Sequence, residues 1–196
     1  MVLGWLDQKS TLRRGTELPG WLRSWIFPFG MTESFGLASI LARDGARVTV
    51  FKERPDFRMR PASGSGPDPF MTAFGLVAGV WARRRKAQAL RRGVRLIVGP
   101  VTIGTIATQL QVGLPVIAMV DQGAYAPDPS WPNGVLHWVV VTFANESQVV
   151  FHDPDLGPNQ QVAAAIFEKA LDVRNQGLDS QIVVAERGAT LTDRGK

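Results

Sequence analysis

Two titratable side chains stand where a hairpin would bring them together. His137 opens the apolar stretch His137-Trp138-Val139-Val140-Val141, and Asp153 closes Phe151-His152-Asp153. Both stretches are rich in β-branched and aromatic residues and read as strands, with Ala144-Asn145-Glu146-Ser147 as the turn between them. In an antiparallel pair the first residues of one strand oppose the last of the other, so an imidazole and a carboxylate meet at the open end. A general base needs that contact, because the carboxylate fixes the tautomer and orientation of the ring.

Register decides whether they meet. If residue 137 sits opposite 153, both side chains share a face; if it sits opposite 154, they point apart. A three-residue loop gives the first arrangement and a two- or four-residue loop the second, and the residues alone leave the choice open. The plainer reading makes His137 a half-buried strand residue and Asp153 the cap of a turn at Pro154. His152, Asp153 and Asp155 offer only one nitrogen to a metal, so no metal site is expected. Asp155 followed by Gly157 reads as a turn.

The elements around this hairpin follow from periodicity. Residues 1–30 carry Trp5, Trp21, Trp25, Phe27 and Phe29 among Gly, Pro and Arg, and read as an irregular arm with a short helix near 21–26. Thr32 or Ser34 can cap a helix bearing Phe35, Leu37, Ala38, Ile40 and Leu41, which ends at Asp44-Gly45. Residues 47–51 form a strand, 55–69 a mobile loop, and 70–92 a long helix whose stripe is Phe70, Phe74, Val77 and Trp81. A strand at 94–98 precedes a helix capped by Thr102, with Ile103, Ile106, Ala107 and Leu110 inward. Pro115–Val120 is apolar throughout and fits a strand covered on both faces, and 122–133 form a loop. Val162–Arg174 reads as a helix with Val162, Ile166, Ala170 and Val173 on one face, and Gln181–Glu186 as a last strand. The expected fold is α+β, a largely antiparallel sheet with packed helices.

Composition narrows the chemistry. The 196 residues suit one domain over 31–186, with the arm before it and a frayed tail at 187–196. No cysteine is present, which removes disulfides, thiolate–metal sites and a cysteine nucleophile from this chain; two histidines cannot build a three-histidine site. No cofactor is expected. Neither a signal peptide nor a membrane span is evident, because Gln109, Gln111 and Gly113-Leu114-Pro115 interrupt the longest apolar stretch, so a cytoplasmic protein is expected.

The blocks Gly113-Leu114-Pro115-Val116-Ile117-Ala118-Met119-Val120, His137-Trp138-Val139-Val140-Val141-Thr142 and Val149-Val150-Phe151-His152-Asp153-Pro154-Asp155 resemble the C39-type papain-like cysteine peptidases, in their bacterial C39-like branch. Phe35-Gly36-Leu37-Ala38 and Asp44-Gly45-Ala46-Arg47-Val48 resemble its second helix and strand, so the likeness covers roughly 30–186. It implies a papain-like fold with His137 as general base and Asp153 as its orienting carboxylate. The family's cysteine and the glutamine before it stand on an N-terminal helix, which would precede the segment that opens here at Met1. Trp138, Asp121 and Ser34 are then expected to line a substrate groove, Ser34 being a weak substitute nucleophile at a helix start.

Several functions fit these residues. The chain could be a degenerate member that binds a peptide or an acyl-carrier substrate without cleaving it. It could instead be one half of an enzyme whose Cys-bearing helix comes from a second chain. An acyl-transfer or amide-forming enzyme using His137 as base, and a non-catalytic interaction module, are the alternatives. Arg83, Arg84, Arg85, Lys86, Arg91 and Arg92 form a basic face that would suit an acidic carrier protein or simply face solvent. No nucleic-acid-binding signature accompanies them.

Overall fold

The computed structural model describes residues 25–26, 31–56, 69–127 and 135–186. Most of the expected arm, residues 57–68 of the expected loop, residues 128–134 and the expected tail lie outside the described residues. The described end of the arm, Trp25–Ile26 (β1), is a strand and not a helix; it pairs antiparallel with Met31–Thr32 (β2). Helix α1, Ser34–Arg43, is capped by Glu33 and by neither hydroxyl: Glu33 Oε2 accepts from the N–H groups of Phe35 and Gly36 at 2.9 and 3.1 Å. A carboxylate satisfies two of the free first-turn N–H groups and meets the positive end of the helix. Gly45 then adopts φ +93°, which reverses the chain into β3, Arg47–Lys52.

Helix α2, Pro69–Arg91, crosses over to β4, Arg95–Val98, which runs parallel to β3. Of the expected stripe, Val77 is 49% and Trp81 37% exposed, whereas Ala78, Ala82 and Ala89 are buried; the side chains of Phe70 and Phe74 lie outside the described residues. Ala89 packs in one cluster with Phe35, Ala38 and Leu41 of α1, and Val77 and Trp81 face outward. Helix α3, Ile103–Gln111, starts at a Thr102/Thr105 capping box, and β5, Val116–Asp121, is buried along nearly its whole length.

The hairpin follows as β6, Leu136–Ala144, and β7, Gln148–Asp153. A tight turn through Gly157 (φ +97°) leads into β8, Gly157–Ala163, which takes the start of the expected last helix. Helix α4 is therefore only Ala164–Leu171. Phe167, Ala170 and Leu171 face the core, and Ile166, expected inward, is 38% exposed. Strand β9, Gln181–Glu186, completes a seven-stranded sheet in the order β4-β3-β9-β5-β6-β7-β8, antiparallel except between β3 and β4. The expected α+β architecture is present.

The sheet separates two apolar layers. On one face Phe35, Leu41 and Ala89 pack against Val48, Val50, Ile117 and Val183. On the other Ile106, Phe167 and Leu171 pack against Val116, Val139, Val141 and Phe151. Among the described residues no helix is long and apolar enough to cross a membrane.

Candidate active site

The hairpin register contains a device that spacing does not reveal. Near the turn the pairs are Ala144 with Val149 and Phe143 with Val150; beyond it they are Val141 with Phe151 and Val140 with His152. Thr142 is the extra residue of a β-bulge, and its hydroxyl donates to the Val150 carbonyl at 3.2 Å. Without that bulge the four-residue loop would carry Asp153 opposite Val140, on the far side from His137. With it, Asp153 falls opposite Val139, and His137 lies two residues along on the same face.

At that end His137 Nε2 stands 3.0 Å from Asp153 Oδ2. A third group shares the contact: the hydroxyl of Tyr125 donates to Asp153 Oδ2 at 2.6 Å and lies 2.8 Å from His137 Nε2. Tyr125 follows the short 3-10 turn Gln122–Ala124, which Asp121 starts by accepting from the Gly123 N–H at 2.9 Å. An aromatic column supports it. Its ring meets Phe151 edge-on at 5.1 Å, and Phe151 lies 5.3 Å from Phe167 in the core. Tyr125 is the chain's single tyrosine, the one signal by which sequence reasoning could have singled it out.

Asp153 is buried and uses both oxygens. Oδ1 accepts from the N–H groups of Asp155 and Leu156 at 2.8 and 3.0 Å, closing the turn, while Oδ2 holds the tyrosine and the imidazole. The turn-capping and ring-orienting readings of this residue both hold, one per oxygen. Burial raises the cost of its charge. The hydrogen bonds from Tyr125, Leu156 and Asp155 and the neighbouring imidazole outweigh that cost and hold the carboxyl below its ordinary value. Burial, the bond to Asp153 and the charges of Asp153, Asp155 and Asp121 all push Tyr125 upward, so its hydroxyl stays a proton donor.

The depressed carboxyl implies a pH dependence. Asp153 contributes stability that is intact above its unfolded value of about 4 and is lost as pH falls through the lower native value. The stability gap between the native chain and Asp153→Ala is therefore expected to be constant from pH 7 to about 5 and to narrow below about 4. Urea unfolding at stepped pH reads it; a gap that widened on acidification would contradict the geometry.

Because Nε2 faces two acceptors, the neutral ring carries its proton there and its lone pair at Nδ1. Nδ1 is buried and has no hydrogen-bond partner; Asp155 Oδ2, on a 62% exposed side chain, is 3.4 Å away outside hydrogen-bond geometry. This arrangement can accept a proton at Nδ1, and the imidazolium so formed would face the Asp155 carboxylate.

The other expected site residues are placed as follows. Asp121 ends β5 beside Tyr125. Trp138 alternates with His137 and packs on the opposite side of the sheet, against the clusters of Ile117 and Met119. Ser34 is buried in the layer of Phe35 and donates to Glu33 Oε1 at 3.1 Å, so the fold does not bring it to the pair. His152 accepts the Asn159 N–H at Nδ1, 3.0 Å, and it is His137 that joins Asp153 and Asp155, their donor atoms within 4.8 Å of one another. Within the basic cluster Lys86 is bonded to Pro55 O and Asp56 Oδ1, Arg92 to Ser39 O, and Arg85 is half-buried; Arg83, Arg84 and Arg91 face outward. A cavity of about 480 Å³ lies between Thr102, Glu168, Asp172 and Arg174, and neither His137 nor Tyr125 lines it.

Residues 1–192 match the Peptidase_C39 like family. The chain belongs to that family. No curated protein matches it. This C39-like chain thus combines a family match over nearly its full length, a mainly antiparallel α+β fold and a sequence without cysteine.

Proposed function

We propose that this Peptidase_C39-like chain supplies the base half of an acyl-transfer site: it binds a peptide or a carrier-bound acyl group beside His137 and needs a thiol from elsewhere. The observation that carries this reading is the orientation of the imidazole, with Nε2 held by Asp153 and Tyr125 and Nδ1 buried without a hydrogen-bond partner. A histidine and an aspartate activate a nucleophile but do not replace one, and no cysteine is available in the sequence. In the proposed step Nδ1 takes the proton of an incoming thiol and the thiolate adds to the acyl carbon. The tetrahedral adduct then collapses, and Nδ1 returns the proton to the leaving amine or thiol.

The test is exchange of a peptidyl thioester with added cysteamine, followed by mass spectrometry. The purified chain alone is expected to leave a peptide amide intact. With cysteamine it should speed exchange by about tenfold or more over His137→Ala, the low end of what a placed base provides. Peptide cleavage without added thiol would refute the need for an outside nucleophile. Equal exchange rates for the two proteins would refute the role of His137.

A further inference from the structure

His137 Nδ1 is buried and has no hydrogen-bond partner, although Asp155 Oδ2 stands only 3.4 Å away. That separation is beyond the ordinary N–H···O range. It is the spacing of two ligands on one metal ion. With bonds of about 2.0 Å to an imidazole nitrogen and about 2.1 Å to a carboxylate oxygen, atoms 3.4 Å apart subtend about 112° at the ion, close to the tetrahedral angle. In that arrangement the oxygen lies about 35° off the line from nitrogen to ion, an offset that suits a bridging ion and spoils a hydrogen bond.

The far side of the ring is arranged as metal sites arrange it. A ligating histidine donates its second ring N–H to a carboxylate, which fixes the tautomer and raises the basicity of the ligand nitrogen. His137 Nε2 faces Asp153 Oδ2 at 3.0 Å, and Asp153 is itself held by the Tyr125 hydroxyl and two backbone N–H groups. Both oxygens of Asp153 are thus engaged, so it supports the imidazole and leaves Asp155 as the carboxylate that can ligate. The Asp155 side chain is 62% exposed, which opens the outer side of the pair to an ion and its water. His152, the imidazole beside Asp153 in the chain, is occupied at Nδ1 by the Asn159 N–H.

We propose that His137 Nδ1 and Asp155 Oδ2 bind a first-row transition-metal dication such as zinc, with Asp153 as the outer carboxylate and water in the remaining positions. A nitrogen ligand selects such an ion over magnesium or calcium, which take oxygen ligands. The charges of Asp153 and Asp155 balance the dication. The inference rests on the reading of Nδ1 as a bare lone pair and adds a regulation of that same site. A metal ion and a proton compete for one lone pair, so the metal-loaded chain has no base to offer.

The experiment titrates the untagged full chain, labelled with 15N at histidine, with zinc chloride in thiol-free buffer at neutral pH, and repeats the titration with magnesium chloride. His152→Gln assigns the two rings. Zinc is expected to move the Nδ1 resonance of His137 while the proton stays on Nε2; magnesium at the same concentration should leave it in place. Asp155→Asn should raise the zinc concentration at half-saturation at least tenfold, the smallest cost of losing even an outer partner, and Glu146→Gln, in the turn at the other end of the hairpin, should not change it. If the metal-free ring carries its proton on Nε2 but zinc moves only His152 or neither ring, the metal site is refuted and the base stands. If the metal-free ring carries its proton on Nδ1, the reading of the base fails and this inference with it. Zinc binding at His137 that Asp155→Asn does not weaken is coordination by a lone imidazole and overturns the proposal, as does an equal response to magnesium.

Discussion

Replacing Asp153 by asparagine is expected to lower stability by about 2–4 kcal/mol and to release the imidazole from its tautomer. The side chain is almost wholly buried, with Oδ1 accepting two backbone N–H groups and Oδ2 facing the tyrosine hydroxyl and Nε2. An asparagine can keep one half of this pattern and not the other. With its oxygen in the turn, its NH2 group faces the Tyr125 O–H and the imidazole N–H, donor against donors. The ring can relieve that conflict only by moving its proton to Nδ1, which removes the lone pair on which the proposed base depends. Urea denaturation measures the first effect and histidine 15N shifts the second. A loss below about 0.5 kcal/mol with an unchanged tautomer would mean that the contact holds nothing in place.

Phe151→Ala is expected to be costlier in stability than any exchange on the sheet surface, about 3–5 kcal/mol. Phe151 is fully buried between Phe167 and Tyr125, so truncation leaves a cavity under the tyrosine as well as in the core. Tyr125 should then sag from its bond to Asp153, and the histidine signals of the surviving folded protein should broaden or move. Phe143→Ala on the neighbouring strand, at a side chain 43% exposed, is the control and should cost under about 1 kcal/mol. A cost at Phe151 no greater than at Phe143 would contradict the aromatic column.

The residues announced some elements and hid others for definable reasons. Strand β5 and helix α3 were legible because apolar runs and a Thr cap are local signals that tertiary packing reinforces. Strand β8 was not: as an edge strand its Gly157-Pro158-Asn159-Gln160-Gln161 carries neither alternation nor β-branched residues, and ladder bonds to β7 alone define it. The outward turn of Val77 and Trp81 was hidden because the buried positions of α2 include the small residues Ala78, Ala82 and Ala89, which size alone does not mark as the packed face. At the site, strand ends placed His137 near Asp153, but parity depended on a bulge at Thr142, which no local pattern marks. Tyr125 escaped because it lies in a Pro- and Gly-rich loop, and only the folded chain carries that loop across to Asp153.

The most direct measurement is the tautomer of His137, read from two-bond 15N–1H couplings of histidine-labelled protein at neutral pH, with His152→Gln to assign the signal. The geometry requires a proton on Nε2 and a bare Nδ1. A ring protonated at Nδ1 would leave nothing there to receive a proton, and the base assigned to this C39-like chain would not exist.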